Sequence, residues 1–499
     1  MASLAFWLMF AKSTAFLFSL ALPLLLVRRL SQTEFGLYKQ AFLVVGTAVA
    51  ILPLGFGMSA FYFLPREDDN SRKGRIVFNV ILFNVFVGGI VFLVFAVQPR
   101  LLSTIFHDPE LEKYGALIGA TIFFWMFAAF LEVIVIVNRE AKLATVLIVG
   151  TQISKASCLL LAAILFGSLR SLILAGLVHS IVLSVILLGY LNQRFRGFWR
   201  SFSWATLREQ LAYALPYGAA GLLFTAQNDL HNYFVSNSFG PATFAIYSIG
   251  CLQLPLVGIL SESIASVTIP RISYLQKHNQ PREIVLLMTK VMRKLAVIYF
   301  PLYAFLMVGG RELIRWMFTD NYIASWPIFA INLTLLPFYV IMLDPIVRAY
   351  AEQRYFLLRL RMVLFCVLLG GLWFSVRHYG VIGVITVVVS INLLEHLIVT
   401  YRSGRIMGVK PADVVLLRDV GKLALATLVA SLVAAIVRAR LLELKPFYLL
   451  LVTGSVLLLV YCSVSLILAV PTVEERASAR NKLLEFQRWL GFNRAPESI

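Results

Sequence analysis

Charge is what this sequence is shortest of. Only 14% of its 499 residues are Asp, Glu, Lys or Arg, where a soluble chain carries about a quarter, so a fully water-exposed surface is excluded. Cysteine is scarce as well. Cys158, Cys251, Cys366 and Cys462 are the four present, each inside an apolar run, with no CxxC pair and no His/Cys cluster. That pattern excludes a disulfide framework, a thiol redox motif and a zinc site. No polar stretch is long enough for a separate catalytic domain. The two longest, the inner loop from Pro270 to Lys294 and the tail after Pro471, each have room for one short helix. A basic n-region is also missing, so MASLAFWLMFAKSTAFLFSLALPLLLV reads as a retained first span rather than a signal peptide.

What is present is apolar: 60% of residues are hydrophobic, and runs of about twenty, enough to cross a bilayer as a helix, recur throughout. Fourteen spans are expected, at 5–27, 36–63, 77–97, 115–137, 144–166, 171–191, 211–235, 242–268, 295–312, 327–347, 362–376, 380–400, 420–437 and 447–470. With both termini cytoplasmic, thirty of the 44 Lys and Arg fall on inner segments and twelve on outer ones, leaving Lys12 and Lys155 within spans. The positive-inside rule selects that orientation. The net charge of +19 is therefore a topology signal, and no aromatic–basic module supports a nucleic-acid partner. In the tail, Leu483, Phe486, Trp489 and Leu490 recur at helical spacing among basic residues, which predicts an amphipathic helix on the inner leaflet.

An internal repeat organises the spans. EFGLYKQ (34–40) opens the second and TFAIYSI (243–249) the eighth; LPL steps follow at 52–54 and 254–256, and both close on a proline–arginine pair, LPRE (64–67) and IPRI (269–272). Copies six spans apart share an orientation, as in transporters built from parallel repeats with the substrate between halves. The expected domains are an N-lobe at 1–200, a C-lobe at 201–405, and two added spans with a cytoplasmic tail at 406–499. The expected fold is thus all-α: a polytopic membrane protein of about fourteen transmembrane helices, two parallel six-helix lobes around a central cavity, plus two extra helices.

RRLSQTEFGLY with LPLGFG and FYFLPRE, and LPYGAAGLLFTAQNDLHNYFVSNSFGPATFAIYSI ending in IPRIS, resemble the polysaccharide flippases of the multidrug/oligosaccharidyl-lipid/polysaccharide exporter superfamily. The resemblance covers roughly the first 400 residues and lies in the order and spacing of short motifs. It implies translocation of a polyprenyl-diphosphate-linked oligosaccharide from the inner to the outer leaflet by alternating access. It also implies partners in a polysaccharide polymerase and the glycosyltransferases of the same pathway, and a bacterial cytoplasmic membrane as the location. No cofactor is expected beyond a coupling Na⁺ or H⁺, and no metal site.

Such a substrate needs cations for its pyrophosphate and polar groups for its sugars. Lys155 lies eleven residues from each end of the fifth span, about 16 Å at 1.5 Å per residue, too deep to snorkel. Thr151, Ser154 and Cys158 share its face, so the stripe should line a cavity or a partner helix. Lys12 is a second cation within a span, near enough to the start of its helix to snorkel. Arg28 and Arg29, at an outer helix end, suit phosphate at an exit, and Lys39 at the outer end of span two reads first as an interface anchor. In span seven, FTAQNDLHNYF interrupts an apolar run with Asn228, Asp229, His231 and Asn232. Gly218, Gly221, Thr225, Asp229 and Asn232 fall on one stripe, and in span eight Cys251, Pro255, Gly258 and Glu262 do the same. Asp229 and Glu262 are candidates for binding sugar hydroxyls, for carrying a coupling ion, or for pairing with first-half lysines. Glu395 and His396 read as interfacial residues and His179 as a hydrogen-bonded packing residue. Competing functions are an ion-coupled drug antiporter on the same fold, which a deep lysine disfavours for cationic drugs, and, more distantly, a membrane polysaccharide polymerase or ligase.

Overall fold

The computed structural model describes residues 21–470 apart from Ser201, Gln253, Ala351 and Glu352. Every regular element among them is helical. Twelve helices are long and apolar enough to cross a membrane, and the protein is a multi-pass membrane protein. Most of the first expected span, with Lys12, lies outside the described residues, as does the amphipathic tail. The seventh span is helical, but its polar NDLHN interruption keeps it out of the twelve.

Local sequence explains where the helices start and break. Helix α1 (Gln32–Ile51) begins at SQTE: Ser31 Oγ accepts the Glu34 N–H at 3.2 Å, and the Glu34 carboxylate accepts the Ser31 N–H at 2.9 Å. This capping box satisfies two free donors and contributes about 1 kcal/mol. Proline in the first LPL step ends α1, because it cannot donate within a helix. The chain turns through Leu52–Gly55, with Leu54 and Gly55 at φ of 47° and 65°. Within a bilayer those turn amides still need partners, and Leu54 N–H and Phe56 N–H donate to the Ile51 and Pro53 carbonyls at 3.0 and 2.7 Å. A short helix, Ser59–Phe63, and a 3₁₀ turn at Leu64–Arg66 follow.

Next come α2 (Asn70–Val97), α3 (Gly115–Ala128), α4 (Phe130–Val137), α5 (Ala141–Leu165) and α6 (Leu169–Arg194). Helix α7 (Trp204–Gly250) covers the seventh span and the start of the eighth, its backbone leaving helical geometry at Gly240 (φ 75°, ψ 171°). α7 ends at Gly250 and α8 (Pro255–Lys277) follows, with Pro255 at the helix start, where a missing N–H costs nothing. The two LPL steps therefore interrupt their spans alike. The two PR pairs do not act alike: Leu64–Arg66 forms a 3₁₀ turn, whereas Pro270 and Arg271 sit inside α8, which continues to Lys277.

The expected loop from Pro270 to Lys294 is corrected to helix. α8 runs on, three residues (278–280) turn the chain at Asn279 (φ 53°), and α9 (Pro281–Phe318) begins at once. Both helices outlast their apolar stretches, so hydropathy drew the boundary too early. Further helices are α10 (Trp326–Leu333), α11 (Arg354–His378), α12 (Gly380–Ile406), α13 (Arg418–Arg440) and α14 (Pro446–Ile467), with a short one at Asp344–Ala349.

The chain packs as two units. One takes the sequence up to Ser263 with Met317–Asn332 and Glu352–Glu395; the other takes Ile264–Trp316, Leu333–Ala351 and the sequence from His396. In the first, α1 lies along α7, α2 along α3, and α6 contacts both α3 and α5. Its core includes fully buried Phe56, Val77, Val80, Ile134 and Leu187. A buried amide chain crosses it, Asn79 donating to Gln210 and Gln210 to Ser59, both at 3.1 Å. In the second unit α13 packs on α14, and Arg438 grips the buried carboxylate of Glu312 with two bonds of 2.6 and 3.1 Å.

Candidate substrate-binding site

Four helices of the first unit bring the deep lysine together with aromatic rings. Lys155 is half-buried on α5, and its Nζ sits 4.3 Å from the Trp125 ring centroid on α3. Cation–π contact of this kind holds an ammonium without neutralising it. Trp125 meets Phe42 of α1 edge-on at 6.3 Å, and Phe42 meets Tyr38 at 4.7 Å. Lys39, one residue on from Tyr38, is half-buried with its Nζ 5.5 Å from the Phe35 ring. Among the described residues, no carboxylate forms an ion pair with either lysine. Ser154 on α5 shares a 3.3 Å hydrogen bond with Nδ1 of buried His179 on α6. Cations held over π-faces keep their charge, which is the chemistry that attracts a multivalent anion. The aromatic walls suit the apolar faces of sugar rings. Trp125 escaped sequence reading because TIFFWMF carries no polar marker.

The NDLHN interruption resolves into separate roles. Asp229 is half-buried and accepts a 3.0 Å bond at Oδ2 from Thr47 Oγ1 of α1. Asn228 is exposed and donates back to the Phe224 carbonyl of its own helix at 2.8 Å. His231 is buried and its Nδ1 bonds Tyr247 Oη at 2.8 Å, tying together the segments on either side of the Gly240 bend. Asn232 is half-buried on the same helix, and Glu262 has an exposed side chain on α8. Arg28 and Arg29 are exposed in the turn before α1, Arg28 donating to the Leu24 carbonyl at 2.6 Å. The structure thus links the surroundings of Lys155 and Lys39 through the Trp125–Phe42–Tyr38 rings, and joins Asp229 to Thr47. Lys39, read from sequence first as an interface anchor, joins the cation site.

A second charged cluster joins three helices. Glu395 on α12 pairs at 3.0 Å with Arg361 of α11 and accepts from Gln227 of α7 at 3.1 Å. Glu395 is therefore an ion-pair partner packed between helices, a pairing that the sequence did not indicate.

A model of the family described as polysaccharide biosynthesis protein matches residues 25–327. Among curated proteins none matches the sequence. Among solved structures, the lipid II flippase MurJ in an inward closed conformation superposes with a TM-score of 0.73 at 16% identity, covering 94% of this chain and 99% of that one. An inward-facing multidrug resistance MATE family transporter of the MOP superfamily gives 0.60 at 14% identity, covering 79% and 94%. An outward-facing one gives 0.54 at 16%, covering 81% and 94%. These likenesses establish the shared fold, in accord with the resemblance read from EFGLYKQ, LPLGFG and IPRIS. With more than half of its 499 residues matched by one family model, the chain belongs to the polysaccharide biosynthesis protein family.

Proposed function

We propose that this protein is a flippase that carries a polyprenyl-diphosphate-linked oligosaccharide from the inner to the outer leaflet of a bacterial cytoplasmic membrane, with both termini in the cytoplasm. One observation carries the reading: Lys155 and Lys39 each sit over an aromatic ring, the two are linked through the Trp125–Phe42–Tyr38 ring contacts, and among the described residues neither forms an ion pair with a carboxylate. A charge there costs free energy unless a ligand or cavity compensates it, and a pyrophosphate supplies the compensation. Family membership and the flippase-like fold support a lipid-linked glycan as cargo. Translocation runs by alternating access, and the membrane lipid is the medium from which the polyprenyl tail enters. The pathway's glycosyltransferases supply the cargo and its polymerase consumes it.

The test is reconstitution. Proteoliposomes loaded with a polyprenyl-diphosphate-linked oligosaccharide are probed with a membrane-impermeant sugar-modifying enzyme. Wild-type protein should expose glycan that starts on the inner leaflet, and Lys155→Ala should not. Extrusion of a cationic drug with no glycan exposure would replace this reading with the antiporter.

A further inference from the structure

Helices α1 and α7 run antiparallel in intimate contact, and three contacts set their register. A Cβ on Gly36 would lie 1.9 Å from the Pro241 carbonyl oxygen, and one on Gly218 would lie 2.0 Å from that of Leu54. Between these ends, Thr47 bonds Asp229. Seven residues back along α1 from Thr47, and seven forward along α7 from Asp229, the register sets Gln40 level with Ser236. Steps of seven or eleven residues return to one helix face, so Gly36, Gln40 and Thr47 oppose Gly218, Asp229 and Ser236 along a single seam.

Gln40 and Ser236 are both fully buried, yet among the described residues Nε2 and Oε1 of Gln40 and Oγ of Ser236 have no hydrogen-bond partner. Three polar atoms without bonds in one apolar seam are unusual, because buried polar groups are nearly always paired. No packing need calls for them either: small and apolar residues suffice where membrane helices meet closely. Their chemistry is a set of donors and acceptors (an amide and a hydroxyl), continued two turns away by Thr47 and Asp229. That set complements the hydroxyls of a sugar. Gln40 directly follows Lys39 on α1, so the seam lies on the same helix as a cation that would meet a diphosphate.

We propose that the α1–α7 seam is a carbohydrate-binding face, closed in this conformation, in which Gln40 and Ser236 take sugar hydroxyls when the two helices part. The proposal rests on the flippase reading and names the groups that recognise the glycan rather than the diphosphate.

Two probes separate the claims: a polyprenyl diphosphate bearing a disaccharide, and the bare polyprenyl diphosphate. Binding of each to detergent-solubilised protein is measured by native mass spectrometry for wild type and for Gln40→Leu/Ser236→Ala. The expected result is about a tenfold loss of affinity for the glycosylated probe, with binding of the bare lipid unchanged. Thermal stability should hold or rise, since the replaced polar groups were unpaired in the closed seam. Equal loss for both probes, or loss for neither, overturns the proposal. Wild-type protein that binds neither probe overturns the flippase reading with it. A second measurement does not depend on those variants. In a Gln40→Cys/Ser236→Cys protein with the four native cysteines replaced by alanine, disulfide formation should fall when the glycosylated probe is added and not with the bare one. Crosslinking indifferent to the sugar defeats the idea.

Discussion

Thr47 on α1 donates a 3.0 Å hydrogen bond to Asp229 on α7, joining residues 182 positions apart in the sequence. The bond links the helix that carries Lys39 to the one that opens the second half of the repeat. It also explains how a carboxylate is tolerated in an apolar span: the hydroxyl supplies a donor that lipid lacks.

Removing that donor should cost more than neutralising the acid. Thr47→Val leaves the carboxylate short of a partner, at about 1–3 kcal/mol. Asp229→Asn keeps an oxygen that accepts, and should cost less. Thermal unfolding of the two variants and their double mutant should reveal a coupling, as expected for residues in contact. A greater loss for Asp229→Asn than for Thr47→Val would assign the acid a task beyond this bond.

Lys155 is expected to matter for transport and not for the fold. Lys155→Ala should abolish complementation of a flippase-deficient strain, while Lys155→Arg retains part of it, because arginine also stacks on an aromatic face. Both should express at wild-type level. Trp125→Leu should weaken complementation as well, by releasing the ammonium from its ring. Full complementation by Lys155→Ala would rule out the anion-binding role.

The Arg361–Glu395–Gln227 cluster should behave in the opposite way. Glu395→Gln leaves the Arg361 guanidinium, about 29% exposed, without its charge partner. A loss of about 1–3 kcal/mol is expected. Arg361→Gln combined with Glu395→Gln should recover part of it, as removing both partners is milder than removing one. The melting temperature of detergent-purified protein decides between rescue and additive loss.

The close approach of α1 and α7 gives a contrast between glycines. Gly218→Ala places a methyl 2.0 Å from the Leu54 carbonyl oxygen, and should destabilise by about 1–3 kcal/mol, the range of overpacked cores. Gly46→Ala, on α1, meets nothing within 4 Å and should be neutral or slightly stabilising, since alanine is the better helix former. Expression and thermal stability of the pair, measured side by side, check the seam directly.

Orientation is testable by reporter fusions. Fusions after Asp69, Asn279 and Ser498 should all report cytoplasm, as the excess of inner cations requires. Asn279 lies in the three-residue turn between α8 and α9, so the reporter there replaces no helix. An external signal from any of the three breaks the topology.

What the sequence determined by itself is what contiguous residues encode. Apolar runs specify the membrane helices, Ser31 and Glu34 start α1, and two LPL steps interrupt their spans, because proline acts on its own turn wherever it stands. Lys155 was visible for the same reason: a lysine in mid-span is costly whatever surrounds it. The tertiary structure decided the partners. Nothing in TIFFWMF marks Trp125 as the ring beneath Lys155, and nothing near Glu395 announces Arg361. The role of Asp229 depended on a threonine 182 positions away. Gln40 reads as an ordinary polar residue in EFGLYKQ; only the antiparallel register of α1 and α7 brings it level with Ser236. In lipid, helices are already satisfied along their own backbones, and hydrophobicity does not choose between neighbours. The choice falls to close packing at Gly36 and Gly218 and to a few polar side chains, whose matches exist only once the helices are side by side.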